Sequence, residues 1–228
     1  MSNILIVGAS SGIGKEIAKQ FLSSGEHNLY LASRTKPELE GNYEFQELDV
    51  MGDVELNLPD ELHGLVYAPG SINLKPFHRL KEEDFLNDFQ LNTLGAVKVI
   101  QSALKPLKNS KNASVVLFST VAVGTGLSFH ASVSSAKGAL EGLGRSLSAE
   151  LAPNVRVNMI APSLTDTPLA ERLLSSEDKR KANAERHPLK KIGTTADIAN
   201  ATRYLLTDDS QWMTGQVLTI DGGLSVIR

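Results

Sequence analysis

Short, continuous apolar runs alternate with longer segments of helical spacing along the chain. The first run, residues 3–7, ends at Gly8-Ala9-Ser10-Ser11-Gly12-Ile13-Gly14, and a helical pattern follows through Ile13, Ile17, Phe21 and Leu22. Further runs occupy residues 28–33, 43–48, 62–68, 114–119, 155–160 and 216–220, which makes seven strand candidates. Most are apolar throughout rather than alternating, as expected of parallel strands buried on both faces. Helical patterns cover residues 82–107, about 132–151 and 195–206. No repeat, linker or low-complexity stretch interrupts them. The pattern predicts α/β architecture: one doubly wound domain over residues 1–228, with a seven-stranded, mainly parallel sheet and helices on both faces. Two connections, 34–42 and 49–61, are short for parallel crossovers, which need about a dozen or more residues. One sheet edge is therefore predicted to be thinly covered.

Composition narrows the function classes. The chain has 228 residues, a length that suits one α/β domain. Lys and Arg total 23 against 26 Asp and Glu, a net charge of −3. That balance argues against nucleic-acid or anionic-membrane partners but leaves room for a local basic spot facing a phosphate. The absence of cysteine excludes disulfides, thiolate catalysis and Cys-ligated zinc or iron–sulfur centres. No apolar run approaches the roughly 20 residues of a membrane helix, and the first ten residues lack a basic leader. These features are those expected of a cytoplasmic protein. His27, His63, His78 and His187 are scattered, without metal-ligand spacing, and read as surface or core residues. No metal site is predicted.

The glycine turn offers chemistry. Gly8 permits a tight turn, Gly12 lets backbone approach a phosphate, and the following helix presents unpaired N–H groups and a positive dipole end. Ser10 and Ser11 add hydroxyl donors. The spacing is Gly-x3-Gly-x-Gly rather than Gly-x-Gly-x-x-Gly, so on these residues alone the segment fits either a structural turn or a pyrophosphate cradle.

Five further segments, in order, join the turn. Asp49-Val50 follows the third strand. Tyr67-Ala68-Pro69-Gly70 follows the fourth, Asn92 lies in Leu91-Asn92-Thr93-Leu94-Gly95, and Ala161-Pro162-Ser163-Leu164-Thr165-Asp166-Thr167 follows the sixth. Thr214-Gly215-Gln216 and Asp221-Gly222-Gly223 close the set. With these the sequence resembles the short-chain dehydrogenase/reductase superfamily over nearly its whole length. The resemblance implies a Rossmann-type fold. It also implies that Gly8 to Gly14 hold the pyrophosphate and that Asp49 and Val50 contact adenine. Ala68, Pro69 and Gly70 would line the cleft, and Pro162, Leu164, Thr165 and Thr167 would grip the nicotinamide carboxamide. The departures are Val7 for a usual Thr, Tyr67-Ala68-Pro69 for Asn-Asn-Ala, and Ser163 for Gly.

The second strand ends Leu31-Ala32-Ser33-Arg34, with no acid to hold a ribose 2′-hydroxyl. Ser33 does not repel a 2′-phosphate and Arg34 can fork onto one, so NADP(H) is favoured over NAD(H). Arg34 also fits a solvated surface residue.

In the resembled family a Tyr transfers the proton, a Lys four residues later lowers its pKa and holds the ribose, a Ser fixes the substrate oxygen, and a helix Asn supports a water relay. Lys137 aligns with the lysine, Thr120 with the serine, and Asn92 with the asparagine. Val133 stands at the tyrosine and has no titratable atom. Asn92 gains separate weight because Phe85, Phe89, Asn92, Ala96 and Ile100 recur at helical spacing, and an amide on an apolar stripe must find partners. A satisfied structural amide is the other reading of Asn92, and a surface lysine that of Lys137. His130, three residues before Val133 and seven before Lys137, shares their face if the helix starts there, with Ser128 near the helix start as a cap. It then fits either a substitute acid or a cavity-lining residue.

Two function classes stand. One is an NADP(H)-dependent oxidoreductase that moves hydride to or from a small carbonyl or alcohol with an altered proton donor. The other is a nucleotide-binding or regulatory protein that has lost the chemistry. Residues 168–188, apolar at first (Leu169, Leu173, Leu174) and then charged, are predicted to form a mobile lid over the site. The small residues Ala136, Gly138, Ala139, Gly142, Gly144 and Ser148 suit close helix packing, and the resemblance implies a homodimer or homotetramer.

Overall fold

The computed structural model describes residues 1–227. Seven strands form one sheet in the order β3-β2-β1-β4-β5-β6-β7, and every pairing is parallel. They are β1 (Ser2–Val7), β2 (His27–Ser33), β3 (Glu44–Glu47), β4 (Gly64–Tyr67), β5 (Ala113–Phe118), β6 (Val155–Pro162) and β7 (Val217–Ile220). The expected runs overshoot β3 and β4 at both ends, miss the first residue of β1, β2 and β5, and stop two residues short of the end of β6 at Pro162. The helices are α1 (Gly12–Ser24), α2 (Glu82–Phe89), α3 (Gly95–Asn109), α4 (Val121–Thr125), α5 (Ala131–Leu151), α6 (Glu177–Glu185) and α7 (Thr195–Leu206).

Two buried clusters sandwich the sheet. Leu5 and Val7 point from β1 into one, with Val99, Ile100, Ala103 and Leu107 of α3 and Leu140 and Leu151 of α5. Ile4 and Ile6 point into the other, with Ile17, Ala18 and Phe21 of α1 and Ile198, Ala199 and Leu205 of α7. The period of two along β1 thus feeds both cores. Each fully buried aliphatic or phenyl side chain stabilises the fold by about 1.5–3 kcal/mol. Neither short crossover carries a helix, and β3 at that edge is the least buried parallel strand of its half.

One helical expectation needs correction. Residues 82–107 do not form a single stripe. A π-helical stretch, Gln90–Leu94, separates α2 from α3. Its wider turn rotates the register, so Phe89 is exposed and Asp88 is buried in its stead. Asn92 stays fully buried, but not on the face read from Phe85 and Phe89.

The chain reverses its winding between β1 and β4: β2 and β3 lie on one side, β5 to β7 on the other. In open parallel sheets the crevice at the carboxyl ends of such strands is where ligands bind.

Candidate active site

The Gly8–Gly14 turn sits on that crevice. The Gly8 amide donates to the Ala32 carbonyl (2.8 Å), tying β1 to β2. Gly8 has φ of 87°, and a Cβ there would lie 3.0 Å from the Pro69 nitrogen. A Cβ on Gly14 would collide with the Gly8 carbonyl. α1 opens at Gly12 with no acidic residue in its first turn, and the Ser11 side chain makes no capping bond. The helix start is therefore left positive and open to an anion. The turn lines a cleft of about 450 Å³ with Ser33, Arg34, Asp49, Val50 and Pro69. Arg34 is exposed at its rim and makes no ion pair among the described residues. The Ser33 hydroxyl donates to the Thr35 carbonyl (2.8 Å), shaping the turn after β2.

A second cavity, about 250 Å³, adjoins the cleft and shares Ile13, Ala68, Gly70, Ser71, Thr167 and Leu169 with it. Its walls include Thr120, Val133, Lys137, His130 and the Pro162–Thr165 segment. Thr120 is the N-cap of α4, its Oγ1 accepting from the Ala122 amide (3.3 Å), so its own proton remains to be donated. Ser119 beside it is committed: its hydroxyl donates to Glu141 (2.6 Å).

Lys137 is buried, and its Nζ donates to the Phe118 carbonyl (2.6 Å). Burial pushes its ammonium down to about 7, with Asp88 opposing. Gly70 keeps the space between Lys137 and Asn92 open: a Cβ on it would lie 3.4 Å from Asn92 Oδ1 and 3.5 Å from Lys137 Nζ. The Asn92 amide donates to Ser71 Oγ (3.0 Å) and the Asp88 carbonyl (2.8 Å), while Asn92 Oδ1 and Asp88 Oδ2 have no protein partner. Ser71 in turn donates to Asp88 Oδ1 (2.6 Å). Asn92 lies just behind the cavity wall rather than on it. Of the expected site residues it alone lines neither cavity.

Val133 is a buried wall residue. Tyr67, the fully buried tyrosine, is no substitute donor: its hydroxyl donates to the Leu91 carbonyl (2.6 Å) and burial pushes its phenol up. α5 starts at Ala131 with His130 as its N-cap, which meets the condition for His130, Val133 and Lys137 to share a cavity face. Ser128 does not cap the helix with its side chain. Instead His130 Nδ1 donates to the Ser128 carbonyl (2.7 Å), because the chain is still turning at Phe129 (φ 70°).

His187 departs from its reading as a scattered residue. It is buried, lines the cavity, and lies 2.8 Å through Nε2 from Ser163 Oγ. Residues 168–188 lie over the cavity with Leu169, Ala170 and Leu173 inward, while Leu174 is buried elsewhere. Arg180 pins this segment to Asp166 (2.7 Å).

The chain matches, over residues 8–225, the family model described as enoyl-(acyl carrier protein) reductase. It is 31% identical to a tropinone reductase homologue of Arabidopsis thaliana, covering 98% of this chain and 93% of the relative. The ligand-free aldohexose dehydrogenase of Thermoplasma acidophilum superposes with a TM-score of 0.89 at 25% identity, covering 100% of this chain and 95% of the other. ElxO with NADP bound superposes with a TM-score of 0.86 at 27% identity, covering 98% of each chain. The chain belongs to the short-chain dehydrogenase/reductase family.

Members of this family are oxidoreductases that use nicotinamide cofactors on small molecules. The cleft fits such a group by its own geometry: Gly8 and Gly14 leave backbone space that a Cβ would fill, and the helix start is uncapped by any acid. Asn92 Oδ1 and Asp88 Oδ2 add unpartnered acceptors behind the junction of the two cavities. Three residues of this arrangement, Ser71, Asp88 and His187, were not singled out from sequence. Asp88 and Ser71 meet only because the π turn rotates Asp88 inward. For His187 a signal existed: the resemblance implies a glycine at position 163, and the serine there introduces a hydroxyl that needs a partner.

Proposed function

We propose that residues 1–228 form one dinucleotide-binding and catalytic domain, an NADP(H)-dependent oxidoreductase acting on a small carbonyl or alcohol with a proton donor other than the family tyrosine. The single observation that carries the cofactor choice is the end of β2, where Ser33 and Arg34 line the cleft and neither position is an acid. A carboxylate there would repel a 2′-phosphate, whereas Arg34 complements it. The NADP-bound relative supports the same choice.

The chain's own residues divide the remaining work. Gly8, Ser10, Ser11, Gly12, Ile13 and Gly14 cradle the pyrophosphate, and Asp49 and Val50 border the adenine. Pro162, Leu164, Thr165 and Thr167 hold the carboxamide end, and Ala68, Pro69 and Gly70 form the floor. Lys137 binds the nicotinamide ribose, and Asn92 holds water toward it. When bound, the reduced nicotinamide supplies hydride. Thr120 donates a hydrogen bond to the substrate oxygen, His130 lines the rim, and Leu169 and Leu173 exclude water over an apolar part of the substrate. Loss of one general acid costs typically 10²–10⁴ in rate, while positioning survives.

The test pairs NADPH and NADH titrations with NADPH oxidation against a panel of aldehydes and ketones. Tighter NADPH binding and turnover are expected. Equal or tighter NADH binding overturns the cofactor choice. Tight NADPH binding without turnover favours the second reading, a nucleotide-binding protein without chemistry, which Val133 in the cavity wall supports. We also propose a homo-oligomer. Ala139 and Gly142 lie exposed on α5, where glycine's helix cost of about 1 kcal/mol calls for a packing partner.

A further inference from the structure

With Val133 in the wall, a substrate oxygen that receives the negative charge of hydride addition still needs a proton. We propose that Ser163 delivers it, recharged by His187, so that the hydroxyl–imidazole pair at the end of β6 takes the tyrosine's part. This rests on the oxidoreductase reading above.

The hydrogen bonds fix the ring's state. His187 Nδ1 lies 2.9 Å from the Asn183 carbonyl, which can only accept, so Nδ1 carries a proton. In the neutral ring Nε2 is then bare, and the Ser163 hydroxyl, 2.8 Å away, donates to it. Ser163 in that state presents only lone pairs to the cavity. When the ring is protonated, Nε2–H donates to Ser163 Oγ and the serine proton is released toward the cavity. A ketone or aldehyde needs the second state and an alcohol the first.

The step balances. A bound reduced nicotinamide would supply hydride, two electrons to the carbonyl carbon, and the C=O π pair would move to oxygen. The Ser163 O–H bond breaks as its proton passes to that oxygen. The Nε2–H bond breaks as its proton passes to Ser163 Oγ. An alcohol, an intact serine, a neutral His187 and an oxidised nicotinamide remain. Oxidation of an alcohol runs the same transfers backwards.

Position favours this pair over His130. β5 and β6 are neighbours, with the Ser119 amide donating to the Ile160 carbonyl (2.7 Å), so Thr120 and Ser163 leave adjacent strand ends into one cavity. His187 is buried with both nitrogens engaged, whereas His130 is half-buried at the N-cap position of α5 and its Nδ1 is held by the Ser128 carbonyl. The charged groups facing His187 are Asp221 from the turn after β7, Arg186 beside it at the end of α6, and Lys137 with His130 across the cavity on α5. Asp221, raised by burial but lowered further by bonds from Ser225 and Gly223 and by His187 itself, stays ionised opposite the ring.

A merely structural role, tying the end of α6 to β6, predicts different behaviour. The experiment measures the pH profile of NADPH-driven reduction for the wild-type protein, Ser163→Ala, Ser163→Thr, His187→Gln and His130→Phe. Alongside it, ¹⁵N-histidine NMR of the cofactor-free wild-type protein reads the ring's tautomer. Expected are a neutral His187 protonated on Nδ1 and a reduction rate that falls tenfold per pH unit above the imidazole titration. Ser163→Ala should lose about 100-fold in kcat with little change in KM. Ser163→Thr should keep the alkaline limb, and His187→Gln should flatten it. His130→Phe should keep the alkaline limb whatever it does to the rate. A neutral ring protonated on Nε2, or a limb unchanged in Ser163→Ala and His187→Gln, overturns the relay alone. Absence of turnover by the wild-type protein overturns the oxidoreductase reading and the relay with it.

Discussion

The two adjoining cavities are held by different means. The cleft proposed for the dinucleotide is built from backbone: glycines at positions where a Cβ would collide, an amide tying β1 to β2, and the open start of α1. The reaction cavity is built from side chains, Val133 and Ser163 among them. Backbone cradles tolerate few substitutions, because any Cβ is an intrusion. A side-chain site can exchange one donor for another as long as some group on the wall moves the proton. The contrast predicts that cofactor binding and chemistry respond to mutation on separate scales.

The largest effect should come from the cleft. Gly14→Val drives a side chain into the Gly8 carbonyl, and loss of measurable NADPH binding is expected by fluorescence titration. Binding within threefold of wild type would break the claim that backbone space holds the cofactor.

Lys137→Met joins the two regions. It should weaken NADPH by about 10–100-fold, the worth of a hydrogen bond to a charged group. It should also change the pH dependence of apoprotein stability. The folded Lys137 titrates near 7, below the ordinary 10.5 of the unfolded chain. Between those values the unfolded state binds more protons, so wild-type stability gains from this group as pH rises from about 7 to 10.5. Below 7 the cost of charging the buried amine is fully present. Urea unfolding across that window should show the rise in the wild-type protein and its loss in Lys137→Met, a difference of a few kcal/mol. Parallel curves would contradict the burial of the amine.

Arg34→Ala should be smaller, about a tenfold loss of NADPH affinity with NADH unchanged, since an exposed charge is screened. Equal losses for both cofactors would remove Arg34 from the 2′-phosphate. Light scattering at micromolar concentration should give a dimer or tetramer mass, and Gly142→Arg should lower it without altering NADPH affinity. A monomeric wild-type mass sinks the packing argument for α5.

The sheet was readable because buried parallel strands need continuous apolar runs, and β4 and β5 are buried at every position. The glycine turn was readable because its close backbone approaches leave no room for a Cβ at Gly8 or Gly14. The reaction cavity was only partly readable. Lys137 and Thr120 were expected and do line it, but Asp88 is turned inward by a π-helical stretch that no residue pattern announces. His187 meets Ser163 across 24 residues of loop and helix, a pairing that depends on where residues 168–188 fold back. Spacing arguments work within an element and fail between elements joined by irregular chain.

The most direct test of the account is the ratio of kcat/KM for Val133→Tyr to that of the wild-type protein, on one carbonyl substrate at neutral pH. If the cavity already has its own proton donor, restoring the family tyrosine changes the rate by less than about tenfold in either direction. A rise of about 100-fold or more, the worth of a missing general acid, would show that position 133 is a lesion in an otherwise ordinary site and contradict the account.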